Sequence, residues 1–155
     1  MKTDEYYMHL ALKEAEKSAQ MDEVPIGAVL VENDHVLARG HNMKEKKNDP
    51  TCHAEIEVIR KACKKKASWR LENATLYVTI EPCMMCAGTM VWSRVRRIVY
   101  GAKDPKGGAM GSSFSLLEVK RLNHYPEITG GVLEEECAQI MKDYFQKKRN
   151  LSKNK

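Results

Sequence analysis

Hydrophobic positions recur at two different periods along this 155-residue chain, and each change of period marks a new element. Tyr7, Leu10, Ala11, Ala15 and Ala19 fall at helical spacing, which predicts a first helix from a cap at Thr3 or Asp4 to about Gln20. The run Val24-Pro25-Ile26-Gly27-Ala28-Val29-Leu30-Val31 reads as a buried strand, Asn33-Asp34 as a hairpin turn, and residues 36–41 as the returning strand. Residues 42–50 are polar and predict a loop. Helical patterning resumes over 53–65, followed by a strand at 76–80, a helix at 84–92 and a strand at 97–101. The glycine-rich stretch 107–112 reads as a mobile loop that covers a site or meets a partner. A short helix near 116–121, a strand near 127–132 and a final helix from 133 to about 149 complete the pattern. Methionine and aromatic positions on these helices are expected in the core.

Strands alternating with helices predict a single α/β domain over residues 1–150, with helices on both faces of the sheet. Residues 151–155 are expected to form a basic, disordered tail. The hydrophobic share of 43% and charged share of 30% suit a folded domain with a substantial core. No apolar run approaches the roughly 20 residues that span a bilayer, so no membrane association is expected. Met1-Lys2-Thr3-Asp4-Glu5 lacks the form of a signal peptide, and an odd count of five cysteines suits a reducing cytoplasm.

The net charge of +5 resides in one place: residues 145–155 hold Lys147, Lys148, Arg149, Lys153 and Lys155 and no acid. Such a segment binds phosphates or simply remains solvated while complementing a helix C-terminus. Lys64-Lys65-Lys66 and the Arg94, Arg96, Arg97 group read as solvated faces.

The chemistry concentrates in His53-Ala54-Glu55 and Pro82-Cys83-Met84-Met85-Cys86. Cys83 and Cys86 stand three residues apart, so one turn brings both sulfurs to one ion, and His53 supplies a third ligand. Three protein ligands leave a position open for water, as catalytic zinc sites do. Both ligand sets are predicted at helix N-termini, where peptide dipoles favour thiolates. Other readings stay open on the motif alone. A lone CxxC also serves as a redox pair, and Cys52 is available as the fourth ligand of a closed structural site. Cys52 adjoins His53, and neighbouring helical residues diverge by about 100°, so a buried packing role is the better expectation for it.

The H-x-E and P-C-x-x-C arrangement resembles the zinc-dependent cytidine deaminase superfamily. That resemblance implies a three-layer α/β/α domain around a mixed sheet of about five strands. It also implies zinc held by His53, Cys83 and Cys86, a zinc-bound hydroxide as nucleophile, and Glu55 as the proton shuttle. Further segments are similar to the bacterial tRNA-specific adenosine deaminases: Glu23-Val24-Pro25-Ile26-Gly27-Ala28-Val29, His41-Asn42, Asp49-Pro50-Thr51, Ser68-Trp69-Arg70-Leu71, Thr75-Leu76-Tyr77-Val78-Thr79 and residues 100–106. This likeness extends from about residue 6 to residue 149. It implies conversion of the wobble adenosine of a tRNA anticodon to inosine, by a homodimer with one zinc per subunit. It assigns Asn42 and Ala54 to the nucleoside pocket, Asp104 and Lys106 to a loop beside the substrate strand, and Phe145 and Arg149 to a helix that meets the anticodon loop. On their own, Asn42 reads first as a turn residue after the strand, and Phe145 reads equally as helix packing. Cys52 departs from the alanine common before the zinc histidine.

Two rivals remain. A deaminase of free bases or nucleosides predicts the same metal site without need of a basic C-terminal helix. A non-catalytic zinc module that binds RNA predicts a closed site and a dispensable Glu55.

Overall fold

The computed structural model describes residues 1–153; residues 154 and 155, the end of the expected tail, lie outside the described residues. Helix α1 (Asp4–Gln20) starts where Thr3 accepts a hydrogen bond from the Tyr6 N–H, as an N-cap does. Strands β1 (Gly27–Glu32) and β2 (His35–His41) form a hairpin whose turn residues, Asn33 and Asp34, both have positive φ. That geometry is the type I′ turn, which asparagine and aspartate tolerate best after glycine. A short helix α2 (Lys44–Lys47) precedes α3 (Ala54–Lys66). Then come β3 (Ala74–Ile80), α4 (Met84–Trp92) and β4 (Arg97–Ala102). A 3-10 turn at Leu116–Glu118, β5 (Glu127–Thr129) and α5 (Glu134–Lys153) follow.

The five strands lie in the order β2-β1-β3-β4-β5. β1 pairs antiparallel with β2 and β3, whereas β3, β4 and β5 run parallel, so the sheet is mixed. Central β3 is buried at every position, as a strand covered on both faces must be. Its side chains divide between two cores, alternating up to Val78. Leu76 and Val78 pack with Ala54, Val58, Ala87 and Met90 of α3 and α4. Tyr77 and Ile80 pack with Tyr7, Met8 and Ala11 of α1 and with Cys137 of α5. The result is three layers, α3 and α4 on one face and α1 and α5 on the other, as expected.

Four details depart from the sequence reading. The loop at 42–50 contains α2, which has no buried face and is held from a distance by Glu23. The loop at 107–112 is anchored, with Ala109 and Met110 buried. Helix α5 continues through Leu151, Ser152 and Lys153, where the expected tail begins, because no glycine or proline interrupts it. The methionine and aromatic positions divide: Met8 and Met90 are fully buried, but Met84, Trp92 and Phe145 are exposed.

Candidate active site

β3 delivers the chain to the site. It ends at Ile80, and Glu81, Pro82 and Cys83 lead directly into α4, so Cys83 is the N-cap of that helix. His53 is the N-cap of α3. Both residues have extended backbone and neither side chain caps its own helix, which frees the imidazole and the thiol to face each other. Cys86 lies within the first turn of α4, fully buried. His53 Nδ1 is 3.5 Å from Cys86 Sγ and 3.7 Å from Cys83 Sγ. Tetrahedral zinc, with Zn–S of about 2.3 Å and Zn–N of about 2.05 Å, sets nitrogen and sulfur about 3.6 Å apart. The donor set therefore fits zinc in both chemistry and spacing. The three ligand atoms lie within 4.8 Å of one another, and this is the metal-ligating cluster found among the described residues.

Electrostatics favour a cation here. A hydrogen bond from the Cys86 thiol pulls the Cys83 pKa down to about 4 against the cost of burial, with His53 and the Cys86 N–H assisting. The resulting negative sulfur, together with burial, pushes the Cys86 thiol up. Cys83 also raises the His53 pKa. A divalent ion that binds the pair displaces the thiol protons that remain. Glu55, in the first turn of α3, is 3% exposed. Burial raises its pKa to about 7, so it exchanges a proton readily near neutrality.

Cys52 is buried and turned elsewhere. Its thiol meets Glu57 and Asp49, burial and those carboxylates raise its pKa, and Arg60 Nη1 is 4.0 Å from its sulfur. It is not part of the metal-ligating cluster, so no fourth protein ligand closes the site among the described residues.

Asn42 is buried immediately after β2. The next residue, Met43, donates its N–H to the carbonyl of Cys52 at 3.0 Å. The Asn42 amide donates to the Val24 carbonyl at 3.2 Å and accepts the Lys44 N–H at 3.3 Å. Its side chain is thereby aimed, with one donor and one lone pair still available. Ala54 is fully buried between His53 and Glu55. A cleft of about 530 Å³ runs from Asn42 past Lys44 and Lys46 to Tyr144, Phe145 and Lys148 on α5. The structure thus joins Asn42 and Phe145, 103 positions apart in sequence, along one surface. Arg149 is exposed one turn beyond Phe145 on α5. Asp104 is half-buried, and its carboxylate accepts the N–H groups of Lys106 and Gly107 at 3.1 and 3.2 Å, while Lys106 is exposed.

Two buried acids escaped the sequence reading. Glu23 accepts the N–H groups of Glu45 and Lys46 at 2.9 and 2.6 Å and so holds α2 at one wall of the cleft. Glu81 accepts the N–H groups of Asp104, Met110 and Ser112 at 3.2, 3.0 and 3.1 Å, and the Ser112 hydroxyl as well. Burial works to raise the Glu81 pKa, but Ser112 and the three N–H groups prevail and hold it below the usual carboxylate range. A lone acid closing a strand with no other charge, as Glu81 closes residues 76–80, was the available signal.

The fold and a His/Cys/Cys cluster able to hold a metal point to a deaminase, and comparison with known proteins agrees. The chain matches the MafB19-like deaminase family over residues 2–149. It is 52% identical to a tRNA-specific adenosine deaminase of Bacillus subtilis over 153 residues, covering 99% of this chain and 95% of the relative. A solved structure from work on A-to-I editing by tRNA:A34 deaminases superposes with a TM-score of 0.83 at 47% identity, covering 87% of this chain and 98% of that one. A guanine deaminase of Bacillus subtilis superposes less well, with a TM-score of 0.63 at 36% identity over 66% of each chain. The chain belongs to the family of the tRNA-specific adenosine deaminases.

Proposed function

We propose that this protein hydrolyses the wobble adenosine of a tRNA anticodon to inosine, releasing ammonia. The observation that carries the reading is the cleft that leads from Asn42, whose neighbour Met43 is hydrogen-bonded to the residue before His53, to Phe145 and Lys148 on the basic end of α5. A free base needs no such extension. A strand of RNA does, because its splayed bases stack on aromatic rings and its phosphates pair with lysine and arginine.

His53, Cys83 and Cys86 are the residues that would hold one zinc ion per subunit. When bound, zinc supplies an activated water as the nucleophile. Glu55, buried and outside the ligand set, takes a proton from the attacking water and gives it to N1 of the adenine ring, then moves a second proton, from the new hydroxyl at C6, to the departing 6-amino group. Asn42 orients the nucleoside through its remaining donor and acceptor, and Ala54 shapes the floor beneath it. Asp104 and Lys106 line the path of the neighbouring nucleotides. Phe145 stacks on an extruded base, and Arg149 pairs with a phosphate. An anticodon loop suits this arrangement because its bases are unpaired, so extrusion costs less than opening a duplex.

The assembly we infer is a homodimer. Helix α4 presents Met84 and Trp92 outward, and a side chain added at Gly88 would meet open space. An apolar helix face of this kind suits burial against a second copy. Residues 1–150 act as one deaminase unit, with the basic end of α5 extending beyond it. The working compartment is the cytoplasm, where tRNA matures and where the five free thiols remain reduced. No helix among the described residues is long and apolar enough to cross a membrane.

A substrate panel tests the reading. Zinc-loaded protein is incubated with an adenosine-bearing anticodon stem-loop and, separately, with free adenosine, guanine and cytidine, and ammonia is measured. Release from the stem-loop alone supports the proposal. Release from a free base or nucleoside, with the RNA untouched, retains the chemistry and overturns the substrate.

A further inference from the structure

Glu81 occupies an unusual position for an acid. It is 3% exposed, it forms no salt bridge among the described residues, and it adjoins Pro82 and Cys83. In place of a cation, four hydrogen-bond donors from a single loop converge on its two oxygens. Oε1 receives the Asp104 N–H and the Ser112 hydroxyl, and Oε2 receives the N–H groups of Met110 and Ser112. The Ala109 N–H adds a bond to the Pro82 carbonyl at 2.8 Å. Gly108 crosses the carboxylate so closely that a Cβ there would lie 2.4 Å from its carboxyl carbon. The loop is therefore wrapped around one side chain that belongs to the metal-bearing turn.

We propose that Glu81 is a positioning residue for RNA recognition: its carboxylate sets residues 104–112, and with them Asp104 and Lys106, at a fixed place relative to Cys83. This rests on the RNA reading given above. Asp104 binds the N–H groups of Lys106 and Gly107, so residues 104–107 move as a unit. That unit is tied to the turn before Cys83 through Glu81. Only a carboxylate suits the task. Both its oxygens accept, whereas an amide of the same shape accepts at one oxygen and turns an NH2 toward two of the donors. Charged acceptors also form the stronger hydrogen bonds.

Glu81→Gln tests the proposal, with Ser112→Ala as a milder variant that keeps the carboxylate. In Glu81→Gln, the KM for the anticodon stem-loop is expected to rise about tenfold or more while kcat stays within about threefold, since the lost contacts bind rather than react. Zinc per chain stays unchanged, and the Met110 and Ser112 amides exchange hydrogen faster in the absence of RNA. Ser112→Ala shifts KM in the same direction by about threefold. A fall in kcat at unchanged KM, loss of zinc, or unchanged amide exchange in Glu81→Gln overturns the proposal. If Glu81→Gln does not fold, an unchanged KM and exchange rate in Ser112→Ala overturns it instead. Failure of the native protein to deaminate the stem-loop defeats the RNA reading, and with it the recognition role; faster amide exchange in Glu81→Gln would still show that the carboxylate holds the loop.

Discussion

His53 and Cys83 occupy the same position on two different helices: each is an N-cap, each has extended backbone, and neither side chain caps its own helix. An N-cap cysteine or histidine is a poor cap, and substitution by serine or aspartate would ordinarily stabilise a helix. Both positions have forgone that stabilisation. What they gain is a pair of side chains facing each other across two helix N-termini, where partial positive charge from the peptide dipoles favours thiolate. The arrangement is sensible only if the two residues share a ligand.

Removing a ligand should therefore remove the metal. Cys83→Ala is expected to reduce zinc from one per chain to a small residual fraction and to abolish deamination. Metal analysis of protein purified without added zinc, before and after chelation, checks this. Full activity in the chelated native protein would contradict the metal assignment.

Glu55→Gln separates proton transfer from binding. The amide keeps the shape of the side chain but carries no exchangeable carboxyl proton. Zinc content and stem-loop affinity should stay near native, while kcat falls by about 10²–10⁴-fold, the range typical of general acid–base catalysis. A variant with near-native turnover would end the shuttle role.

Phe145 and Arg149 contribute in different ways. Phe145→Ala should weaken stem-loop binding by about 1–3 kcal/mol with its salt dependence intact, because stacking releases no counterions. Arg149→Ala should weaken binding and reduce the slope of log K against log salt by about 0.7, the value for one single-strand phosphate contact. Titrations at several salt concentrations distinguish the two. An unchanged slope in Arg149→Ala would make that residue a bystander.

Far from the site, Asp4 clamps the start of α1 to the sheet. It accepts two hydrogen bonds from Arg97, at 2.9 and 2.7 Å, and one from the Tyr77 hydroxyl at 2.8 Å. The Arg97 hydrogen bonds, opposed by burial and aided by Tyr77, lower its pKa. A carboxyl lowered on folding stabilises the fold in full above its unfolded pKa of about 3.9, and that contribution disappears as pH falls through the folded value. Asp4→Asn should cost about 1–2 kcal/mol at neutral pH and almost nothing in strong acid. Urea unfolding at neutral pH and in acid measures the difference. Equal destabilisation at both would attribute the effect to packing rather than charge.

Most of the fold was legible because its core alternates so regularly. Helix α4 is found at the residues its pattern predicts, and the Asn33-Asp34 turn carries its own chemistry. The His53, Cys83 and Cys86 cluster was legible because two cysteines stand three residues apart and a histidine stands two residues before a glutamate. What escaped depends on contacts between distant parts of the chain. Helix α2, Lys-Glu-Lys-Lys, has no apolar face to detect, and its leading N–H groups are satisfied by Glu23, some twenty residues earlier. The glycines of 107–112 suggest mobility when read alone, but the chain folds them around Glu81. The cleft is tertiary for the same reason: only the packing of α5 brings Phe145 near Asn42.

The most direct test of the central claim maps inosine by sequencing reverse transcripts of an anticodon stem-loop after incubation with the zinc-loaded protein. Two RNAs are compared, one with adenosine at the wobble position and one with that adenosine moved a single nucleotide along the loop. The account predicts A-to-G conversion at the wobble position of the first RNA and none in the second. Conversion of both, or of neither, would contradict it.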